Sequence, residues 1–355
     1  AIFRQDNVEI GSHGYAHPMD WRAGVKSELS VPGLPDYVLS GKSEVSDTVR
    51  FINEELAPEG KECRIMLWTG WCNPAEDQLS SAYESGVRNL NGGDPRMDSH
   101  YPSYAHMVPP VHQVGSHLQF YTSAANDYIM TDDWEPPYFR FQNVVQTFEK
   151  TGAYRRVVPV NIYIHYYIAQ NFSALAGLHN TIAWVLERPL APVFASQYVD
   201  IVRDFHWARL AQRDARTWVV RKGPSLRTLR FDRADVHIDL QASTGVIGYG
   251  QDTQLGATYV HLSADPEVTI VTTDSPPTRP FLWMATHPVE GFTTKATGFS
   301  FQTGGVGVRS FEIAGLAAGA RYRIEAFGQQ DQQVVDAKGI LRFAVTGAST
   351  EAIQG

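Results

Sequence analysis

The chain has 355 residues, of which 43% are hydrophobic and 19% are charged, so it holds enough apolar material for a folded core, and its length favours two domains. The formal net charge is -8, from 30 Lys and Arg against 38 Asp and Glu, which argues against nucleic acid as a partner because phosphate binding needs a positive surface. No apolar stretch approaches the roughly 20 residues of a membrane span, so we expect no membrane-spanning segment.

Short apolar runs alternate with amphipathic stretches in the first part of the chain. The predicted strands are residues 8–13, 64–70, a run beginning at Val87, and 157–169, and the predicted helices are 43–56, 75–86 and 173–188, followed by one more strand and helix from Ala191 on. This alternation indicates a parallel sheet with helices packed outside it, either open or closed into a barrel.

Residues 94–151 interrupt this pattern with a segment rich in Pro, His, Tyr and Ser. Connections in compact domains usually run about 4 to 6 residues, and longer loops commonly carry function. Four histidines lie in this segment, at positions 100, 106, 112 and 117. Their spacing matches no compact metal-binding motif, so we expect them mainly at the surface.

Beyond about Ala215 the sequence consists of short strands separated by turn residues, with almost no helical spacing. This pattern is typical of an antiparallel β-sandwich. We therefore predict a first domain over residues 1–213 and a β-sandwich domain over 214–355.

Two histidines, His13 and His17, follow the first predicted strand with a spacing of four residues. That spacing places two side chains on one face if the backbone makes a helical turn, although Gly14 and Pro18 argue against a long helix. Two neutral imidazoles at the end of a strand suit a zinc ion that has a third protein ligand and an open position for water. The alternative is two unrelated polar residues in a turn.

The segment VEIGSHGYAHPMDW resembles the His-x-x-x-His motif of the NodB-like polysaccharide deacetylases. PVNIYIHYY resembles the motif that supplies the general acid of that family. Further segments are similar to the Pel-type deacetylases within it: LWTGWCNP, NGGD, SQYVDIVRDF, LRTLRF, and GVIGYG followed by YVHL. The resemblance implies a deformed (β/α) barrel, a divalent metal, preferably zinc, held by His13 and His17, and His165 as the catalytic acid.

The resemblance also implies a substrate and a setting. The substrate would be an exopolysaccharide containing N-acetylhexosamine and rich in N-acetylgalactosamine, deacetylated for a biofilm matrix. The location would be periplasmic or secreted, and an export or scaffold protein of the same secretion system would be a partner.

Other residues are weaker candidates. Asp94 and Arg96 follow a predicted strand and would form the carboxylate–guanidinium pair that orients the catalytic base in the family, or simply a turn and a surface charge. Trp68, Trp71 and Tyr166 would line a sugar-binding groove, or would pack in a core.

One feature of the family is missing from this sequence. Its Asp-Asp pair supplies the catalytic base and the third metal ligand and should precede His13, whereas the chain begins with Ala1 in what looks like the approach to a strand. We therefore expect an upstream segment or a separate fragment to complete the site. The adjacent pair Asp132–Asp133 lies in the wrong order and is more typical of a helix cap or turn.

Two alternative functions remain open at this point. The absence of the Asp-Asp pair favours a carbohydrate-binding or scaffold portion without catalysis. A glycoside hydrolase would need two carboxylates across a sugar cleft, and the predicted strand ends offer histidines instead.

Overall fold

The structure is a computed structural model that describes residues 2–22, 37–91, 95–107, 109–123, 127–131, 134–153, 155–295, 298–347 and 351–354. The described chain is a mixed α/β structure with six α-helices and with strands in several sheets. It divides into two compact units, one formed by Ala1–Leu190 with Phe194–Val199 and the other by Ala191–Val193 with Asp200–Gly355. Across the described ranges, no helix combines the length and apolar character needed to cross a bilayer.

The first unit contains a three-stranded parallel sheet in the order β1-β2-β3. Its strands are β1 (Ile10–Ser12), β2 (Cys63–Leu67) and β3 (Arg88–Leu90), and the helices between them are α1 (Asp47–Phe51) and α2 (Glu76–Glu84). Helical backbone continues on both sides of α1 as two π-helical turns, Lys42–Ser46 and Ile52–Leu56. The predicted strands at 8–13 and 64–70 and the predicted helices at 43–56 and 75–86 are thus confirmed. These described strands do not close into a barrel.

Apolar side chains from the sheet and its two helices form one core. The set includes Ile10, Val45, Val49, Met66, Trp68, Leu79, Ala82 and Val87. Parallel strands place their carboxyl ends at one edge of the sheet, so the residues that follow β1, β2 and β3 come together there.

The long segment after β3 is partly structured. It contains the hairpin of β4 (Val111–Val114) and β5 (His117–Phe120), then the short helix α3 (Asp127–Met130) and helix α4 (Val144–Gly152). Helix α5 (Phe172–Leu186) follows. A second core joins these helices, with Met130, Phe141, Val144, Phe148, Ile168, Ala174 and Leu178.

Residues 157–169 do not form the predicted strand. The chain forms no regular strand up to His165 and then turns into a 3-10 helix, Tyr166–Gln170. The N–H of Ile168 donates to the carbonyl O of His165 at 3.1 Å, a bond within the turn. β-Branched residues favour strands, but a strand also needs a hydrogen-bonded neighbour along its length.

The strand predicted after Ala191 is also absent, because residues 191–194 lead directly into α6 (Ala195–Trp207). That helix ends earlier than the sequence suggested, and Arg209–Asp214 forms β6 of the second unit. The division of the chain into two compact units falls between Val199 and Asp200, within α6.

Beyond α6, the described residues of the second unit form three sheets. The remaining strands are β7 (Thr217–Arg221), β8 (Thr228–Phe231), β9 (His237–Ile238), β10 (Val246–Asp252), β11 (Ala257–Leu262), β12 (Glu267–Thr273), β13 (Phe281–Ala285), β14 (Val289–Lys295), β15 (Gly298–Thr303), β16 (Val308–Ala314), β17 (Arg321–Ala326), β18 (Gln329–Val334), β19 (Leu341–Thr346) and β20 (Glu351–Gln354). Their orders are β19-β16-β13-β10-β11-β8, β6-β7-β12-β9 and β14-β15-β20-β17-β18.

The six-stranded sheet of this unit contributes to two cores. Phe281 packs with residues of the four-stranded sheet, such as Ile270, whereas its neighbour Leu282 packs with residues of the five-stranded sheet, such as Phe301. Successive residues of a strand point to opposite faces, so both faces of the six-stranded sheet are covered. The predicted change from alternating elements to short strands is confirmed.

Candidate functional site at the carboxyl edge of the parallel sheet

His13 and His17 lie together at this edge. His13 follows β1, and its Nδ1 hydrogen-bonds the carbonyl O of Leu67 at the end of β2, at 2.8 Å. A carbonyl only accepts, so Nδ1 carries the proton and Nε2 keeps a free lone pair. The ring centroid of His17 is 5.0 Å from that of His13, with the planes at 74°.

An irregular turn brings the two rings together, and no helical turn is present between them. Gly14 has a φ of 79° and His17 a φ of 52°, both in the left-handed region. A Cβ on Gly14 would approach Oε2 of Glu44 to 2.9 Å, so the turn needs glycine for space as well as for conformation.

The chain after His17 is held against the loop that follows β2. The backbone N–H of Trp21 donates to Oδ1 of Asn73 at 3.0 Å, and its indole N–H donates to the carbonyl O of Thr69 at 3.1 Å. The hydroxyl of Thr69 donates to the carbonyl O of Pro18 at 2.5 Å. These bonds fix the exit of the histidine turn.

Gly70 allows that close approach. It has a φ of 55°, and a Cβ there would lie 2.4 Å from Cα of Met19. The next residue, Trp71, donates its backbone N–H to the carbonyl O of Met19 at 2.8 Å. Any side chain larger than hydrogen at Gly70 would separate the two loops.

Burial lowers the pKa of His13, and the hydrogen bond that its Nδ1–H donates to the carbonyl O of Leu67 offsets part of that effect. The positive charges of His17 and His165 lower the pKa further. A lowered pKa favours the neutral imidazole, which is the form that binds a metal ion.

His165 is held by a buried carboxylate. Its Nδ1 lies 2.8 Å from Oδ1 of Asp127, and its backbone N–H donates to Oδ2 of the same residue at 3.1 Å. The Asp127 side chain is 0% exposed and the His165 side chain 33% exposed. The imidazole thus has one edge in the protein and one edge open to solvent.

Tyr167 packs on the face of the same imidazole. The two rings are 4.8 Å apart and nearly parallel, at 7°. The Tyr167 hydroxyl is 3.0 Å from Nδ1 of His165, but stacking places it out of the ring plane. The in-plane partner of Nδ1 is therefore Asp127, and the stronger, charged acceptor fixes the proton on Nδ1. Nε2 is therefore the ring nitrogen that can exchange a proton with a substrate.

Two phenols near His165 stay protonated at neutral pH. Burial is the largest cause that raises the pKa of Tyr163 to about 12, and the charges of Cys72 and Asp127 add to it. Burial and the charge of Asp127 likewise raise the pKa of Tyr167. Neither phenol supplies a negative charge to the site.

No known protein family, curated protein or solved structure matches this chain.

The metal-binding potential of the site is incomplete within the described residues. They contain no group of three or more His, Cys, Asp or Glu side chains arranged to hold a metal ion. The rings of His13 and His17 lie 5.0 Å apart, and Nδ1 of His13 is bound to a backbone carbonyl, as one nitrogen of a metal-ligating histidine usually is.

The three aromatic residues predicted to bind sugar lie in different environments. Trp68 is 0% exposed, donates its indole N–H to Oδ1 of Asn89 at 3.1 Å, and belongs to the core. It therefore cannot line a groove, and the packing alternative holds for it. Trp71 is 60% exposed and Tyr166 is 94% exposed, so both are available at the surface.

The predicted pairing of Asp94 with Arg96 is only partly visible, because Asp94 lies outside the described residues. Arg96 donates Nε–H to Oδ2 of Asp98 at 2.7 Å, and its guanidinium lies 4.9 Å from the ring centroid of Tyr101. Burial alone would raise the pKa of Asp98, but Arg96 and two backbone amides lower it overall. These contacts give Arg96 a structural role in the loop.

Sequence reasoning missed Asp127. It lies in the irregular segment, whose more conspicuous residues are Asp132–Asp133, a pair outside the described residues, and the four histidines. Three of those histidines contact three different aromatic rings, in the pairs Tyr101–His106, His112–Tyr121 and Tyr83–His117. No local pattern marked Asp127, since its partner His165 is 38 residues away.

Proposed function

We propose that the chain is the metal-dependent N-deacetylase portion of a protein that acts on an exopolysaccharide containing N-acetylhexosamine, of the Pel type and rich in N-acetylgalactosamine. The observations that support the proposal are the 5.0 Å separation of the His13 and His17 rings and the His165–Asp127 pair, both within the first unit. His13 and His17 would thus serve as metal ligands, and His165, whose orientation Asp127 fixes, would serve as the proton donor.

His165 would act as the general acid. Asp127 holds the proton on Nδ1 through the 2.8 Å bond, so the proton that leaves the imidazolium is the one on Nε2. It would pass to the nitrogen of the departing amine, which is a poor leaving group unless protonated. After this transfer the ring is neutral and keeps its bond to the carboxylate.

His13 and His17 would each contribute one nitrogen to a divalent cation, for which zinc suits imidazole ligands best. A bound metal of this kind lowers the pKa of a coordinated water and polarises the acetamide carbonyl. The third protein ligand and the catalytic base would come from residues outside the described ranges or from another segment, as with the Asp-Asp pair of the NodB-like family.

The surface around the histidines suits a carbohydrate. Tyr15 lies between the two histidines of the turn, Trp71 follows β2, and Tyr166 is next to His165; all three are exposed. Aromatic faces stack on the apolar faces of sugar rings, so these residues would bind units of the polymer next to the one that reacts.

The proposal extends to fold and setting. The first unit would be part of a deformed (β/α) barrel, supported by its parallel strands and intervening helices, and the second unit would be a β-sandwich accessory domain. The protein would work in the periplasm or after secretion, together with an export or scaffold protein of the same system.

Acetate release tests the proposal. The chain, and the natural polypeptide that contains it, would be incubated with N-acetylgalactosamine oligomers after loading with zinc. We expect His165→Ala to abolish acetate release with zinc content unchanged, and His13→Ala and His17→Ala to lose zinc. His179→Ala, on the exposed side of α5, is the matched control and should change neither.

Two results would count against it. Loss of zinc in His165→Ala would make that residue a ligand and remove the proposed acid. Absence of acetate release from every natural form, with oligomer binding intact, would favour the non-catalytic carbohydrate-binding alternative. That alternative draws its support from the lack of a third metal ligand among the described residues.

A further inference from the structure

A buried carboxylate lies beneath the turn that carries His13 and His17. Glu44 is in the π-helical turn before α1, and its side chain belongs to the fully buried set, at 0% exposure. Its Oε2 accepts the backbone N–H groups of Tyr15 at 2.8 Å and of Ala16 at 3.0 Å. These are two of the three residues between the histidines.

Two successive amides that point at one oxygen form a small anion-binding concavity. The amide of Ala16 also lies 3.3 Å from Oε1, so both carboxylate oxygens face the turn. Glycine at position 14 leaves room for this approach, as the 2.9 Å distance from a Cβ there to Oε2 indicates. The turn thus directs two amides at the carboxylate, and Gly14 leaves space for it.

Tyr37 completes the surroundings of the carboxylate. Its hydroxyl donates to Oε1 of Glu44 and also lies 3.0 Å from the hydroxyl oxygen of Ser43. Burial, followed by the hydrogen bond that the hydroxyl donates to Glu44, raises the pKa of Tyr37 to about 12, so the phenol remains a donor at neutral pH. Glu44 thereby has amide and phenol donors in place of the water it lost on burial.

The position of this contact gives it a specific consequence. The backbone of the turn has residues in the left-handed region at Gly14 and at His17, which free chains seldom adopt together. Hydrogen bonds to the two residues between them offset this cost and select one turn conformation. The backbone positions from which both imidazoles project follow from that conformation, and the bond from His13 to Leu67 then orients the first ring.

We propose that Glu44 is a positioning residue that fixes the mutual orientation of the His13 and His17 rings through the amides of Tyr15 and Ala16. The orienting role depends on the geometry of the turn alone. The importance of this role for metal binding rests on the proposed function, because the two imidazoles would share a metal ion only if that function is correct.

The test compares Glu44→Ala with Glu44→Gln in the full chain. The amide oxygen of Gln can still accept from both backbone N–H groups, whereas Ala removes the acceptor. Tyr37→Phe removes only the phenol donor, and Val49→Ala in α1 serves as a control that loses stability from the same core without touching the turn. All variants would be studied first without metal, by amide hydrogen exchange of residues 14–17 and by contacts between the rings in NMR spectra with labelled histidine.

We expect exchange at Tyr15 and Ala16 to become at least about tenfold faster in Glu44→Ala, since a hydrogen bond to a charged acceptor is lost, and the ring contacts to disappear. Glu44→Gln and Tyr37→Phe should retain the ring contacts. Val49→Ala should lower the melting temperature while leaving the turn unchanged, which separates positioning from general stability. Retained ring contacts and unchanged exchange in Glu44→Ala would overturn the proposal.

Titration with Zn²⁺ alone then separates this inference from the proposed function. If the wild-type chain binds Zn²⁺ through its histidines, Glu44→Ala should bind it at least about tenfold more weakly, and Glu44→Gln should recover most of the affinity. If no variant binds Zn²⁺ but ring contacts are lost only in Glu44→Ala, the metal proposal fails and the positioning role of Glu44 is supported.

Discussion

The pairing of Asp127 with His165 makes a prediction that does not require a substrate. Asp127→Asn keeps the size of the side chain but replaces one carboxylate oxygen by an NH₂ group, which cannot accept a hydrogen bond. Both oxygens accept in the structure: Oδ1 faces Nδ1 of His165 and the N–H of Tyr128, and Oδ2 faces the N–H of His165. Every orientation of the amide therefore places one donor against another.

The size of the effect follows from the hydrogen bond to Nδ1. A bond to a charged group contributes about 1.5 to 3 kcal/mol, and each 1.4 kcal/mol is a factor of ten, so Asp127 should favour the Nδ1–H form of His165 by about 10- to 150-fold. In Asp127→Asn this preference should fall to a few-fold or reverse. If His165 is the general acid, acetate release should decrease by at least about tenfold as well, because the ring loses its fixed orientation.

The measurement is ¹⁵N NMR of labelled histidine, in which protonated and unprotonated ring nitrogens have separate chemical shifts. Tyr167→Phe is the matched control: it removes the hydroxyl that lies 3.0 Å from Nδ1 and keeps the stacked ring. We expect it to leave the tautomer unchanged. A wild-type His165 with its proton on Nε2, or a mixture that Asp127→Asn does not alter, would refute the argument.

Three further predictions concern the loops around the site. Asp98→Asn should lower the free energy of unfolding by about 3 kcal/mol at pH 7 because it leaves the guanidinium of Arg96 without its anion. The pKa of Asp98 is lowered from 3.8 in the folded state, so its contribution to stability is present above that pH and is lost as the pH falls through the folded-state pKa. In urea denaturation the difference in unfolding free energy between wild type and Asp98→Asn should therefore shrink below about pH 4. An equal difference at pH 7 and below pH 4 would contradict this. Trp68→Ala should cost about 3 to 5 kcal/mol of stability, whereas Trp71→Ala should cost less than about 0.5 kcal/mol. Only Trp71→Ala should weaken the binding of N-acetylgalactosamine oligomers. Comparable unfolding curves for the two variants would refute the placement of Trp68 in the core and of Trp71 at the surface. Gly70→Ala should lower the melting temperature and speed amide exchange at Trp71, because the new Cβ would lie 2.4 Å from the backbone of Met19. An unchanged melting temperature and exchange rate would show that the loops after His17 and after β2 can separate without loss of stability.

Local patterns predicted the elements that carry the histidine turn. The periodicity of residues 43–56 and 75–86 and the apolar runs at 8–13 and 64–70 gave the helices and strands because each of these elements buries one face in a shared core. The same reasoning gave the strand-rich character of the second unit. The structure adds that His13 lies beside the end of β2, as parallel strands that end at one edge allow.

Other features depend on tertiary contacts that a local pattern does not contain. Residues 157–169 have strand composition, but without a neighbouring strand along their length they form no regular strand and end in a 3-10 helix. Trp68 and Trp71 are three residues apart and look alike in sequence, yet one lies in the core and the other at the surface, because the chain reverses at Gly70. The left-handed conformation at this glycine decides which indole is available to a ligand.

The candidate site is held by long-range acceptors, and this explains why its parts differed in predictability. His13 binds the carbonyl of Leu67, 54 residues away; Tyr15 binds Glu44, 29 residues away; and His165 binds Asp127, 38 residues away. Spacing in sequence identifies residues that a single element presents together, as it did for His13 and His17. It does not identify the acceptor that orients each of them, since that acceptor comes from an element placed by the packing of the whole unit. Histidine chemistry at this edge therefore depends on two buried carboxylates, Glu44 and Asp127, as much as on the imidazoles themselves.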